Sequence, residues 1–489
     1  MAEDPLILVL DAGTTSTRAL LFAPDGTPGT AAQRELTQHY PQPGWVEHDP
    51  HEIWDKTLAC ARDAVAEAGG AGRIAGIGIT NQRETVVAWD KSSGRALHRA
   101  LVWQDRRTAP ACALLKEQGH EAAVQERTGL LLDPYFSATK MRWLIDHVPD
   151  VADAAAAGRL ALGTVEDWLV FKLTGGAHLT DASNASRTLL LPLAGAGWDE
   201  GLCDLFGVPR AALGEVGDCA GRFASTDPAL LGCAIPITGL AGDQQAATIG
   251  QGCLAPGETK ATYGTGAFVL ANRGTALPRS ANRLLGTVLC QLGGSRTYAL
   301  EGSVFVAGSL IQWLRDGLGL IASAEESEAL ARSVPDSGGV TIVPALSGLG
   351  APHWKPDARA AITGLSFATT RAHLVRAALE SMAMQTLDLA EAFAADGTPW
   401  TRLRIDGGMS ANDWMAQDLA DVLQVPVERP DLVETTALGA AMLAALGADL
   451  FASLDEAATA MRGTVRQFTP RRADHADRRA AWSKALSAV

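Results

Sequence analysis

The chain has 489 residues, of which 47% are hydrophobic and 20% are charged, and its formal net charge is −14. This length is too great for a single hydrophobic core, and this composition is typical of a globular protein and excludes a disordered chain. The acidic balance disfavours nucleic acid or an anionic membrane as the main partner, so any phosphate site must concentrate positive charge locally.

The seven cysteines are scattered along the chain and none of them forms a C-x-x-C pair. Their number and spacing indicate buried free thiols in a reducing compartment rather than a metal cluster. The N-terminal segment has no basic stretch before an apolar one, and Asp11 interrupts its short apolar run. We therefore expect neither a signal peptide nor a membrane span, and we expect a cytoplasmic protein.

Strand-like and helical patterns alternate along the first half of the chain. Two apolar strands within residues 6–22 flank a small-residue turn, which predicts a hairpin. Asp49 and Pro50 form a helix start, and this helix extends to about Ala68. The other predicted strands are 74–79, 85–89, 97–103 and 235–238, and the other predicted helices are 137–147, 165–173 and one that begins near Asp243.

The same pattern restarts near residue 252, and a second hairpin follows at residues 259–271. Beyond it we predict strands 339–344 and 403–406, and helices 304–318, 371–394, 411–423 and 436–446. Alternating strands and helices indicate an α/β protein. Because each half opens on its own hairpin, we predict two related domains, residues 1–250 and 251–489, that face each other across a nucleotide.

The two hairpin turns are rich in glycine and threonine: Asp11-Ala-Gly-Thr-Thr-Ser-Thr-Arg18 and Tyr263-Gly-Thr-Gly266. Glycines let successive N–H groups point into one concavity, which suits phosphate oxygens. Asp11 can hold Mg²⁺ through water, and Arg18 can reach a phosphate. For either loop taken alone, an ordinary hairpin turn is the favoured alternative. Neither the Walker A pattern nor G-x-G-x-x-G is present in the first loop.

Polar residues follow the predicted strand 74–79 at its carboxyl end, where ligands bind in open α/β sheets. Arg83 can donate to a small hydroxylated molecule there, and Glu84 can accept from it. A structural ion pair between the two is an equally good interpretation of this segment alone. The aromatic residues Trp103 and Tyr135, with Phe268 after the second turn, belong either to the core or against the carbon skeleton of a polyol.

Asp243 lies at a predicted helix start, where it either caps the helix or acts as a general base for phosphoryl transfer. In that chemistry we expect the position of the base, not a raised pKa, to matter. The small residues of 406–408 would let adenine or ribose approach the backbone, although a tight turn capped by Asn412 is favoured in isolation. Gly308 and Gln312 face either the same cleft or the core.

Taken together, the chain resembles the FGGY carbohydrate kinase family over nearly its whole length. The segments that carry the resemblance are the two hairpins and residues 43–50, 79–85, 102–108, 133–137, 184–188, 242–245, 348–352 and 406–408. Segments 81–85 and 133–137 resemble the members that phosphorylate glycerol. The resemblance implies two duplicated ribonuclease-H-like (actin-like ATPase) domains around a central cleft, and a homodimer or homotetramer.

It also implies the transfer of phosphate from ATP, with Mg²⁺, to glycerol, giving sn-glycerol 3-phosphate, the first step of glycerol catabolism. Asp243 is implied as the base and Asp11 as the residue near the metal. The implied polyol-binding residues are Arg83, Glu84, Trp103, Tyr135, Asp243, Gln244 and Phe268. The implied nucleotide-binding residues are Thr14, Thr15, Ser16, Arg18, Thr265, Gly308, Gln312, Gly408 and Asn412.

The chain departs from the family pattern at several positions. Ala12 stands where Gln is usual, and His353 stands where Tyr is expected. Segment 229–236 lacks the arginine with which some members bind fructose 1,6-bisphosphate, and segment 222–227 lacks the histidine that others phosphorylate.

Two alternatives stay open at this point. One is a kinase of another polyol or sugar. The other is an actin- or chaperone-like ATP-switched binding protein, which explains the hairpins but neither residues 81–84 nor Trp103.

Overall fold

The computed structural model describes residues 5–355, 357–473 and 475–489, and two mixed β-sheets dominate it, one in each half of the chain. The strands of the first half are β1 (Leu6–Ala12), β2 (Ser16–Phe22), β3 (Ala32–Glu35), β4 (Glu47–His48), β5 (Ile74–Asn81), β6 (Val87–Asp90), β7 (Arg95–Ala96), β8 (Ala100–Leu101), β9 (Leu160–Gly163), β10 (Leu179–Asp181), β11 (Glu215–Gly217), β12 (Ala220–Ser225) and β13 (Pro236–Gly242). Its helices are α1 (Pro50–Glu67), α2 (Ala109–Glu117), α3 (Glu121–Thr128), α4 (Ser137–His147), α5 (Pro149–Ala156), α6 (Val165–Thr174), α7 (Ala182–Ala185), α8 (Glu200–Phe206), α9 (Pro228–Leu231) and α10 (Asp243–Gly250).

The second half repeats this alternation. Its strands are β14 (Glu258–Tyr263), β15 (Ala267–Gly274), β16 (Leu285–Leu292), β17 (Ser295–Val304), β18 (Thr341–Val343), β19 (Ala361–Thr363), β20 (Arg402–Asp406), β21 (Val427–Pro430) and β22 (Val465–Phe468). Its helices are α11 (Gly308–Gln312), α12 (Glu326–Arg332), α13 (Arg371–Ala395), α14 (Asp413–Leu423), α15 (Thr435–Gly447), α16 (Leu454–Met461) and α17 (Ala476–Leu486).

The two large sheets share a six-strand order, and the second has one additional edge strand, β16. The first is β3-β2-β1-β5-β13-β12, and the second is β16-β17-β15-β14-β20-β21-β22. In each, the first strand pairs antiparallel with its hairpin partner and parallel with the next strand of the sheet centre. An antiparallel strand then closes the far edge. This repetition confirms the predicted α/β fold of two duplicated domains and confirms both hairpins.

Helices α10 and α15 cross between the two sheets, and each packs on the sheet of the other half. Glycines stand at the crossing: a Cβ on Gly250 would lie 2.0 Å from the carbonyl oxygen of Thr435, and one on Gly439 would lie 1.8 Å from that of Ala246. Because backbone atoms cannot yield at such distances, the crossing requires glycine at both positions. The pair forms the floor beneath the cleft.

Two predicted elements differ from the structure. The predicted helix 304–318 begins too early, because Val304 completes β17; the helix begins at Gly308, whose N–H donates to the Gly264 carbonyl, and helical turns continue to Gly317. Of the predicted strand 97–103 only Ala100–Leu101 (β8) is a strand, and it pairs with β4, whereas the preceding β7 pairs with β6, so the chain changes partner between them. No helix among the described residues is both long and apolar enough to cross a membrane.

Candidate active site

The carboxyl ends of three parallel strands of the first sheet meet at one edge. Ala12 of β1 lies beside Asn81 of β5, and Asn81 lies beside Gly242 of β13. The chain therefore delivers Asp11, Arg83 and Asp243 to neighbouring positions. This is the edge at which open α/β sheets bind ligands.

Arg83 lies at the centre of this edge and is almost fully buried. Its Nε lies 3.3 Å from Oδ1 of Asp243, and its Nη2 donates to the Tyr135 hydroxyl at 3.4 Å. Its Nη1 donates to Oε2 of Glu301 at 2.7 Å, across from the other half of the chain. A Cβ on Gly242 would lie 2.8 Å from the Arg83 side chain, so glycine there leaves room for the guanidinium. One arginine thus joins three of the functional side chains.

Glu84 adopts a backbone φ of +62°, a conformation that residues other than glycine rarely take. Its carbonyl accepts from Ser137 Oγ at 3.1 Å, and its Oε1 accepts from Arg187 Nε at 2.6 Å. Nε of Arg83 is 3.8 Å from Glu84 Oε1, so each of the two has a nearer partner than the other. They belong to a buried network of two arginines and two glutamates, not to an isolated pair.

Glu301 carries the second negative charge of that network. Its Oε1 accepts from Arg187 Nη2 at 3.1 Å, and the side chain is fully enclosed. Burial opposes its ionisation, but the guanidinium groups of Arg187 and Arg83 lower its pKa to about 2. Burial raises the pKa of Glu84, and the same two arginines oppose that rise. Glu301 is therefore ionised at neutral pH.

Asp243 is the first residue of α10, and Gly242 occupies the cap position. The alternative that Asp243 serves only as the helix cap is therefore wrong. Its side chain is 32% exposed and opens to the cleft. Desolvation raises the pKa of this carboxyl, although Arg83 and Lys260 counteract it. We expected its position alone to matter, and the structure adds a raised pKa, which makes it a stronger base.

Trp103 links the polar cluster to the first hairpin. Its indole Nε1 donates to Thr14 Oγ1 at 3.0 Å, and its backbone N–H donates to Thr85 Oγ1 at 3.1 Å. Its ring packs edge to face on Tyr135, with centroids 5.7 Å apart. Phe268 is half-buried in β15, paired with Ser303 of β17. An aromatic pair thus borders the cluster around Arg83.

The first hairpin carries its charges beside the turn. Arg18 donates to Asp11 and, at 2.6 Å, to Oε2 of Glu434 from the other half of the chain. Burial raises the pKa of Asp11, and Arg18 opposes the rise. Thr15 is exposed at the tip, and Ser16 is half-buried. The turn therefore carries the hydroxyls of Thr15 and Ser16 beside the guanidinium of Arg18.

Asp11 is the candidate for holding a metal. The described residues contain no group of three or more His, Cys, Asp or Glu side chains that could bind one. A single carboxylate still fits Mg²⁺, because this ion keeps several waters and takes its other ligands from nucleotide phosphates.

The second hairpin contacts the start of α11. The carbonyl of Thr265 accepts from Ala307 N–H at 2.9 Å, and that of Gly264 accepts from Gly308 N–H at 2.9 Å. A Cβ on Gly308 would lie 2.5 Å from the Gly264 oxygen, so Gly308 is required for this approach. Gln312 is exposed one helical turn further along α11. Thr265 and Gly308 are thus brought together.

The turn after β20 lies against the same hairpin. A Cβ on Gly407 would lie 2.6 Å from the Tyr263 oxygen, whereas one on Gly408 would meet no atom within 4 Å. Asn412 caps α14 by accepting from Met415 N–H at 2.9 Å, and its Nδ2 donates to Ser327 at 3.2 Å. The capping alternative for Asn412 is therefore confirmed, while Gly408 leaves open space for a ligand.

Three charged residues of the cluster were not predicted: Arg187, Lys260 and Glu301. All are buried, and the two from the second half, Lys260 and Glu301, lie inside strands β14 and β17. The local sequence carries little signal for these two, because β14 and β17 contain other polar residues as well. Their full burial, which requires partners, is visible only in the structure.

Family models match the chain over most of its length. Residues 6–250 match the N-terminal domain of the FGGY family of carbohydrate kinases, and residues 259–448 match its C-terminal domain. The chain belongs to the FGGY family of carbohydrate kinases. This family membership agrees with the duplicated fold and with the paired hairpins.

Named relatives of this FGGY kinase are similar over nearly their whole length. It is 56% identical to a glycerol kinase of Methylobacterium nodulans, over 95% of this chain and 94% of the relative. It is 55% identical to glycerol kinase 1 of Pseudomonas aeruginosa, over 93% of this chain and 92% of the relative. Among solved structures, glycerol kinase of Plasmodium falciparum with ADP superimposes with a TM-score of 0.94 at 35% identity, covering 99% of this chain and 98% of that one. A xylulose kinase of Rhodospirillum rubrum superimposes with a TM-score of 0.85 at 28% identity, covering 99% of this chain and 96% of that one.

Proposed function

We propose that this FGGY kinase transfers the terminal phosphoryl group of ATP to glycerol, giving sn-glycerol 3-phosphate. The observation that carries the proposal is the convergence on Arg83, where Asp243 Oδ1 at 3.3 Å and the Tyr135 hydroxyl at 3.4 Å meet beside the first hairpin. Donors and acceptors are both present, as a molecule with a hydroxyl on every carbon requires. The relatives named glycerol kinase support glycerol as that molecule.

Polar side chains would hold the polyol by its oxygens, and aromatic rings would line its carbons. Arg83 donates to hydroxyl oxygens, and Glu84 and Asp243 accept from hydroxyl protons. Trp103 and Phe268 would border the carbon skeleton, as amphipathic or apolar rings do. Tyr135 and Gln244 complete the set of polar contacts. Each group that pairs with a hydroxyl rejects an analogue lacking it, because a buried polar group would otherwise be left unpaired.

Asp243 would act as the base. It accepts the proton of the attacking hydroxyl as the oxygen approaches phosphorus in line with the leaving group. Its raised pKa makes it a stronger proton acceptor, and Arg83 keeps its carboxylate oriented. Closure of the cleft would exclude water, which would otherwise accept the phosphoryl group.

The nucleotide would lie between the hairpins. Thr14, Thr15, Ser16 and Arg18 would meet the phosphates from one side, and Thr265 from the other. Gly308, Gln312, Gly408 and Asn412 would border the nucleoside. Mg²⁺ near Asp11, when bound, neutralises charge on the phosphate oxygens. A homodimer or homotetramer remains a prediction, which analytical ultracentrifugation checks.

Two other functions have less support. A kinase of another sugar fits the fold, which xylulose kinases share at 26–28% identity. The relatives at 54–56% identity are instead named glycerol kinases. An ATP-switched binding protein would need no polar cluster around Arg83.

An acceptor panel tests the proposal. The purified enzyme is assayed at limiting ATP with glycerol, 1-propanol, erythritol and xylulose, and ADP formation is measured. We expect glycerol to be preferred over 1-propanol by about 10⁴–10⁵ in kcat/KM. Equal use of the two alcohols, a preference for xylulose, or ATP hydrolysis that no polyol affects would each contradict the proposal.

A further inference from the structure

Lys260 is a buried cation with an unusual partner. It lies in β14 and has no solvent exposure. Its Nζ donates at 2.6 Å to the side-chain oxygen Oε1 of Gln244, the second residue of α10. In the described part of the chain it forms no ion pair, although Asp243, Asp406 and Glu301 lie near enough to influence it. A buried ammonium is costly unless it is paired, so this arrangement needs a reason other than stability.

The contact determines how the Gln244 amide is oriented. An ammonium group has three donors and no acceptor, so the amide atom that faces it must be oxygen. The amide nitrogen Nε2 therefore points the other way. Within the described residues Nε2 has no hydrogen-bond acceptor, and Gln244 itself is only half-buried. This side chain can then offer the cleft only a donor.

We propose that Lys260 is a positioning residue that fixes the Gln244 amide so that Nε2 donates to a hydroxyl oxygen of the polyol. The inference rests on the proposed function, because it needs a polyol in the cleft beside Asp243. It also assigns a direction to the hydrogen bond: the Gln244 amide donates and the substrate oxygen accepts. Lys260 acts on the substrate only through Gln244.

A double-mutant cycle tests this dependence. Lys260→Met keeps the apolar stem and removes the ammonium, and Gln244→Leu removes the amide at similar volume. We expect each single variant to raise the KM for glycerol about tenfold, the loss of one hydrogen bond. We expect the double variant to show about the same tenfold rise, because the second change removes a contact already lost. The KM for ATP should stay constant in all of them.

Two further variants separate positioning from a structural role. Lys260→Arg keeps a donor and should retain most of the glycerol affinity. Lys91→Met is the matched control, because Lys91 also donates at 2.6 Å to an uncharged oxygen, that of Ala211, away from the cleft. It should leave both KM values unchanged. If Lys260→Met does not fold, Lys260→Gln replaces it in the cycle.

The results distinguish the two proposals. A KM in the double variant equal to the product of the single effects, about 100-fold, overturns the role of Lys260, as does a wild-type KM in Lys260→Met. If the wild type phosphorylates glycerol and the two single effects on KM multiply in the double variant, only this inference is refuted. A wild type that phosphorylates a different polyol refutes the proposed function, and the same cycle on that polyol still decides about Lys260.

Discussion

Asp243 illustrates how a single residue acquires its chemistry from its surroundings. The start of α10 places its carboxylate at the cleft, one third exposed, and enclosure raises its pKa while Arg83 holds it from one side. A carboxyl with a raised pKa takes a proton more readily, and a guanidinium beside it favours its ionised form. Position and basicity therefore act in the same direction.

Replacing Asp243 with asparagine should remove the base and leave ATP binding intact. We expect kcat to fall by about 10²–10⁴ while the KM for ATP is unchanged, because the amide keeps the shape but cannot accept the proton. Steady-state kinetics and ATP titration measure both quantities. Asp150→Asn, an exposed position on α5, is the control and should match the wild type. Near-wild-type turnover of Asp243→Asn would show that another group is the base.

The pH dependence of the wild type follows from the same shift. The base works only when it is ionised, so kcat is full above its pKa and is lost as pH falls through it. Because that pKa is raised, the acid limb should lie above the normal range of an aspartyl carboxyl, 3.8. A kcat profile from pH 4 to pH 8 measures the limb. An activity that stays flat down to pH 4 contradicts this assignment.

Sequence reasoning predicted the residues that lie next to recognisable turns and strand ends, such as Arg83 and Asp243. It did not predict Glu301, which lies inside a strand far from these segments along the chain, or Lys260, which lies in the first strand of the second hairpin. A single charged residue in a strand predicts a side chain that faces solvent. Only their contacts with the first half of the chain, to Arg83 and Arg187 for Glu301 and to Gln244 for Lys260, show that both face inward.

At the scale of elements, the crossing of α10 and α15 is the most demanding packing in the cleft floor. Gly439→Ala would place a methyl group 1.8 Å from the Ala246 carbonyl oxygen. We expect the free energy of unfolding to fall by about 3 kcal/mol or more, because two backbones would have to separate. Urea unfolding followed by circular dichroism measures the loss.

Gly72→Ala is the matched control for that variant. Gly72 lies in a short helical turn, Ala71–Arg73, and a Cβ there meets no atom within 4 Å. Its stability should change by less than about 0.5 kcal/mol. If Gly439→Ala is as stable as Gly72→Ala, the two helices are not held as closely as the geometry indicates.

Element prediction succeeded where one periodic pattern covered a whole element. The two hairpins and α4 and α13 have clear patterns, and the structure confirms them. It set the bounds of 97–103 too wide and the start of helix 304–318 too early, where the chain changes pairing partner or passes from a strand into a helix. Partner choice depends on segments distant in sequence, such as β4 for Ala100–Leu101, so a local pattern cannot reveal it.

At the scale of the whole molecule, the duplication could be predicted because each half opens on the same hairpin. The exchange of α10 and α15 between the two sheets could not, since chain order does not determine which face of which sheet a helix covers. Ionic contacts reinforce that exchange. Glu434 of the second half binds Arg18 of the first, and Glu301 binds both Arg83 and Arg187.

Glu301 therefore contributes to the union of the two halves, and Glu301→Gln tests how much. At pH 7 we expect the free energy of unfolding of the variant to be about 3–5 kcal/mol lower than that of the wild type, because two buried guanidinium groups lose a shared counter-charge. The folded pKa of Glu301 is about 2, below its ordinary 4.5, so its ionic contribution is present above pH 4.5 and is lost as pH falls toward 2.

The stability gap between wild type and Glu301→Gln should consequently be constant from pH 7 to pH 5 and narrow between pH 4.5 and pH 3. Urea unfolding at a series of pH values measures it. Glu126→Gln, an exposed position on α3, is the control and should differ from wild type by less than about 0.5 kcal/mol throughout. A gap absent at pH 7, or one that persists unchanged at pH 3, would mean that Glu301 is not the charge that joins the halves.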